Sequence, residues 1–152
     1  MTVLAPRLAG AVGIVMVGVA LVAGRALAQD PPQPQSVQIP TTTTALEGIP
    51  TVRTDSGEGA TTRHVLDKAE AATNLLRVRV VDGRYYWTSR GNRPLRLSSS
   101  GPFTYLSSEP GTYIRFTRIN DAIAYVEHVD LALGSVTWWG ELRIVTGGRP
   151  GR

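Results

Sequence analysis

The chain has 152 residues, a formal net charge of +4, two histidines and no cysteine. This composition excludes a disulfide framework, a thiolate metal centre and a lipidated cysteine, and it leaves too few imidazoles for a histidine-rich metal site. The positive charge is carried almost wholly by arginine, because Lys68 is the one lysine.

Arg7 precedes an almost uncharged apolar run from Leu8 to Gly24, and Ala26-Leu27-Ala28 follows with the small-x-small spacing of a signal-peptidase site. The pattern predicts a signal peptide over 1–28 and an exported product, periplasmic or secreted; export without disulfides points to a bacterial source. The competing reading is an uncleaved N-terminal membrane anchor bounded by Arg25, although the run is slightly shorter than the roughly 20 residues of a comfortable span. Residues 29–62, rich in Pro, Thr, Gln and Gly with no sustained period, read as a disordered linker.

In 63–74, "RHVLDKAEAATN", Val65, Ala69 and Ala72 recur at helical intervals and predict a short helix. From 75 to 145 the apolar residues alternate with period two and turn signals recur, which predicts an all-β domain: an antiparallel meander of about seven strands, curled or closed into a small barrel. Asp82-Gly83 is a type I′ hairpin signal that pairs Val80 with Tyr85 and Val78 with Trp87. Asn120-Asp121 pairs Phe116 with Tyr125 and Ile114 with Glu127. A turn at Gly134-Ser135 sets Leu131 against Trp138 and Tyr125 against Ile144, in preference to a helical stripe ending at Gly134. In the middle strands, the loop lengths chosen place Leu95, Leu97, Phe103 and Tyr105 on the inner side. Residues 146–152 read as a flexible tail. The apolar face must close into a barrel, be capped by 63–74, or pair with a second copy as a homodimer.

Glu127 and His128 are neighbours on one strand and therefore face opposite ways, which rules them out as a single acid–base pair. Glu127 falls on the inner face in the row Val78, Trp87, Leu95, Tyr105, Ile114, Glu127, Leu142, with Tyr105, Trp87 and Arg93 as candidate donors. His128 falls on the outer face between Tyr113 and Glu141. A small hydrolase or ligand-binding barrel centred on Glu127, or on His128 with Tyr113 and Glu141, is the alternative to a non-enzymatic binding or envelope-associated module. The second reading is adopted because no nucleophile or oxyanion loop is signalled.

On the outer face the same pairing lines up Arg79, Tyr86, Arg96, Thr104, Arg115, Val126 and Arg143. The four arginines and the tyrosine form a candidate anion-binding stripe suited to an anionic lipid, an acidic glycan or an envelope protein, with nucleic acid disfavoured for an exported chain. Trp139 is expected to be exposed beside Asp130. Neither a metal nor a cofactor is called for. If the leader is removed as expected, the intact mass of the chain isolated from cells expressing all 152 residues corresponds to a product beginning at Gln29. A membrane-bound product retaining Met1 supports the anchor instead.

Overall fold

The computed structural model describes residues 31–147, so the leader, its cleavage site and the last five residues of the expected tail lie outside the described part. The strands, in chain order, are β1 (Thr43–Gly57), β2 (Ala60–Val65), β3 (Leu76–Val81), β4 (Arg84–Trp87), β5 (Arg93–Ser100), β6 (Phe103–Glu109), β7 (Thr112–Ile119), β8 (Ala122–Leu131) and β9 (Gly134–Thr146). One short helix, α1 (Lys68–Thr73), joins β2 to β3, and a 3-10 turn at Thr88–Arg90 joins β4 to β5. The sheet runs β2-β1-β3-β4-β5-β6-β7-β8-β9 and closes through β1 onto β9, giving an eight-stranded antiparallel barrel with β2 as an extra strand.

The all-β meander is therefore present, and it begins earlier than expected. The stretch 29–62, read as disordered linker, contains β1 and the start of β2. β1 pairs with β9 along its whole length, with β3 through Ala45–Gly48 and with β2 through Val52–Gly57. A register shift between Pro50 and Val52 marks where it leaves one neighbour for the other. Such an irregularity tolerates a proline that a continuous central ladder rejects.

Residues ahead of β1 close the barrel end that carries the β5–β6 and β7–β8 turns. Gln35 exchanges backbone hydrogen bonds with Arg118, and Thr117 Oγ1 donates to the Gln35 carbonyl. The Thr104 hydroxyl accepts from Val37 N and donates to Val37 O, which holds Val37 in the core. Eight strands enclose a space that side chains can fill, and here Trp87, Tyr125, Phe116, Leu46, Leu76, Leu106 and Ile114 fill it, all fully buried.

The helix is shorter than the expected 63–74. Asp67 Oδ1 accepts from the N–H groups of Ala69 and Glu70 while Glu70 Oε2 accepts from Asp67 N, a capping box that fixes the helix start. The preceding residues, rich in β-branched Thr and Val, extend β2 instead.

The registers around the two-residue turns Asp82-Gly83 and Asn120-Asp121 are as expected. Two others differ. β8 and β9 turn at Ala132-Leu133, so Leu131 faces Gly134 and Glu127 faces Trp138, a shift that preserves which residues point inward. Gly134 serves the β1 contact rather than the turn: a Cβ there would lie 2.1 Å from the Ser56 carbonyl oxygen. In β6 the register slips by an odd step, so Thr104 and Leu106 point inward, whereas Phe103 and Tyr105 are only half-buried on the outer face.

Because β1 supplies both seams of the closure, a chain starting at Arg63 is expected to lose its cooperative thermal transition and its near-ultraviolet aromatic signal. A chain starting at Pro31 should keep both. A cooperative melt from the shorter chain would mean that β3–β9 form a self-sufficient unit.

Candidate functional site

Inside the barrel, Glu127 is fully buried. Its partner is Arg90 of the 3-10 turn, with Arg90 Nε 2.9 Å from Glu127 Oε1. The guanidinium also stacks on Trp138, 4.4 Å from the ring centroid, and Arg53 of β1 approaches the same ring at 5.8 Å. Arg53 in turn pairs with Asp55 at 2.6 Å, and Asp55 meets His64 of β2 at 3.5 Å. A string of polar and aromatic side chains thus leads from the core to β2. Of the expected donors, Trp87 reaches the carboxyl, whereas Tyr105 faces outward and Arg93 pairs with Glu109 at 2.7 Å. Arg90 left no trace in the strand pattern because it lies in a turn.

Burial pushes the Glu127 carboxyl up to about 7 from an ordinary value of 4.5, with the Arg90 charge and smaller contacts from Trp87 and Arg90 pulling it part of the way back. Tyr125 is also raised, by burial first and by the Glu127 charge second, against an opposing effect from Arg90. Both Glu127 oxygens, Trp87 Nε1, Arg90 Nη2, Tyr125 OH and Trp138 Nε1 are buried without an aligned hydrogen-bond partner. Polar atoms gathered this way fix which side chains meet. With no exposure, Glu127 has no contact with solvent through which a substrate could reach it.

On the outer face, His128 stands between Tyr113 and Thr137. Its ring stacks on Tyr113 at 5.3 Å, Nδ1 lies 2.8 Å from Thr137 Oγ1, and Nε2 lies 3.0 Å from Asp130 Oδ1. Glu141, expected opposite His128, faces Ala124 because of the β8–β9 shift. The resulting Thr137–His128–Asp130 string has the atoms of a proton relay. Thr137 nevertheless lies within β9 between β8 and β1, where surrounding backbone N–H groups serve the ladders and do not form an oxyanion pocket.

The arginine row breaks at the β4–β5 register, at the slip in β6 and at the β8–β9 shift. Arg79 does face Tyr86, with its guanidinium 5.7 Å from the ring. Tyr86 then meets Pro94 rather than Arg96, Arg96 meets Ser107, and Arg143 faces Glu47 of β1, its salt-bridge partner. Arg115 meets Tyr105 and stacks on Phe103 at 4.7 Å. Trp139 is exposed as expected, but beside Val126 and not Asp130.

The slip in β6 also builds a feature that the strand pattern missed. Phe103 and Tyr105 pack edge to face at 6.4 Å, Tyr105 and Tyr113 at 6.1 Å, and Tyr113 continues onto His128. This aromatic ladder crosses β6, β7 and β8. A shallow groove of about 480 Å³ borders it on one side, lined by Arg96, Ser98, Tyr105, Ser107 and Tyr113 among others. A second, of about 400 Å³, includes Phe103, Arg115, Val126 and Trp139.

No protein-family model matches the chain, and neither a curated protein nor a solved structure matches it.

The folded state holds the Glu127 proton to higher pH than the unfolded chain does. Its contribution to stability is therefore full below about 4.5 and is lost as pH rises towards 7. Denaturant melts between pH 4 and 8 should record that loss in the wild type and a flatter profile in Glu127→Gln. Glu127→Ala, which strips Arg90 of its partner, should cost about 1 to 3 kcal/mol, whereas His128→Ala on the outer face should cost less than about 1 kcal/mol. Equal costs for the two alanine variants would contradict the opposite facing of Glu127 and His128.

Proposed function

We propose that the chain is an exported, non-enzymatic binding module that uses the outer face of β5–β9 to hold an acidic glycan. The observation that carries this reading is the ladder Phe103–Tyr105–Tyr113–His128 with Arg115 stacked on its first ring and a groove on either side. Aromatic faces suit the apolar C–H faces of sugar rings, hydroxyls of Ser98 and Ser107 suit sugar hydroxyls, and Arg96 and Arg115 suit carboxylate or sulfate groups. Anionic lipid offers charge without flat faces to stack, so it uses only half of this surface.

The filled interior supports a surface role over a carrier role. Side chains occupy the barrel, and Glu127 and Arg90 are engaged with each other. The Thr137–His128–Asp130 string supports positioning of Tyr113 better than hydrolysis, because both imidazole nitrogens are committed within the sheet. Export rests on the leader pattern of residues 1–28.

A uronic-acid polymer such as alginate is the direct probe. Binding at low ionic strength should weaken about tenfold, about 1.4 kcal/mol, in Tyr113→Ala and in Arg115→Gln, and added salt should weaken the wild type more than Arg115→Gln. Arg79→Gln, remote from the ladder, serves as the control with little change. Absence of salt-sensitive binding to alginate by the wild type, or equal losses in all three variants, would overturn the reading.

A further inference from the structure

β2 is the edge of the sheet: it pairs with β1 through six consecutive residues, and among the described residues no strand pairs with its other side. All six of its residues are exposed. Natural edges are usually blunted by charged side chains, proline, a bulge or a covering segment. Ala-Thr-Thr-Arg-His-Val contains no proline, no lysine and a single arginine, Arg63, and its ladder with β1 has no register shift. Such an edge offers unpaired N–H and C=O groups in regular array.

We infer that the β2 edge joins two copies of this chain into a dimer with a continuous sheet, the two strands running antiparallel about a two-fold axis centred on Thr62. The choice of partner and register follows from symmetry and charge. A two-fold axis normal to the sheet keeps each residue on its own face, so opposed residues must have the same parity. Centring on Thr62 opposes Thr62 to itself, Thr61 to Arg63 of the other copy, and Ala60 to His64 of the other copy. Threonine pairs are favourable across strands. Moving the centre to Arg63 would set two guanidiniums against each other, which disfavours that register.

The surface beside the edge supplies a second reason. Ala60 and Thr62 line a groove of about 370 Å³ together with Leu131, Leu133 and Val136. Leu131 is 57% and Leu133 80% exposed. An axis at Thr62 sets the two copies of this apolar lip beside it, on the same side of the joined sheets, and extends the contact beyond backbone pairing. A six-residue edge with a small apolar flank belongs among interfaces under about 1,200 Å², the weak class.

Equilibrium sedimentation of the chain purified from cells expressing the full sequence, followed up to about 1 mM, the weak end of specific affinity, tests the register. The wild type should dimerise. Thr62→Arg and Thr62→Asp should each be monomeric, because each sets like charges opposite one another across the axis. An equimolar mixture of the two should recover the dimer, because the introduced arginine then faces the introduced aspartate. Recovery also separates interface loss from misfolding, since unfolded variants cannot complement. A monomeric wild type throughout, single variants that still dimerise, or a mixture that stays monomeric would overturn the inference.

Discussion

The contact on which the rest depends is the pairing of β1 with β9. A meander of seven strands has two raw edges and an apolar face that cannot stay in water, and β1 removes both problems by bridging β9 to β3. Closure requires very close backbone approach. An ideal Cβ on Gly140 would lie 2.0 Å from the Ile49 carbonyl oxygen, and one on Gly48 would lie 2.7 Å from the Tyr125 ring. Glycine at these two points lets the strands meet and lets Tyr125 lie across β1. The inner face of the barrel is then occupied up to the buried Glu127–Arg90 pair. Burial of that pair carries a desolvation penalty; what it provides is a fixed 3-10 turn, because Arg90 holds Thr88–Arg90 against Trp138.

A filled interior moves the search for function outward. The same odd step in β6 that turns Thr104 inward to grip Val37 turns Tyr105 outward onto Tyr113 and Arg115. One local choice of register therefore supports the plug at the barrel end and the ladder on its surface. Aromatic side chains that could have contributed to the core are displayed instead, at a cost in burial that the plug residues Val37 and Ile39 offset in part. The proposed glycan ladder, Phe103, Tyr105, Tyr113 and His128, and the proposed dimer contact, β2 with the Leu131–Leu133 lip, use different residues.

Legibility followed the range of the interactions. Asp82-Gly83 and Asn120-Asp121 are local signals, and the pairings they imply, Val78 with Trp87 and Ile114 with Glu127, are present. Glu127 was readable as inward for the same reason. β1 was not readable because its inward positions are Leu46, Gly48 and Pro50: the space that a large residue would fill at Gly48 is taken by Tyr125, so no period-two alternation exists to detect. The inversion of β6 was invisible because its cause, the Thr104 hydroxyl bonding Val37, spans 67 residues. Gly134 reads as a turn glycine in the sequence because its actual constraint, Ser56 of β1, is also far away along the chain. Arg90 could not be assigned to Glu127 by strand arithmetic, since a turn has no parity.

Native-state hydrogen exchange resolved at individual amides tests the central role of β1 most directly. Leu46 and Gly48 lie between β3 and β9, flanked on both sides by ladders. If β1 is the closing element, their amides exchange only through global unfolding, at the same free energy as those of Leu106 in β6 and Ile114 in β7, which are flanked by ladders that do not involve β1. Exchange of Leu46 and Gly48 through a lower-energy opening, with Leu106 and Ile114 still protected, would contradict this account and make β1 a strand laid onto a domain that holds together without it.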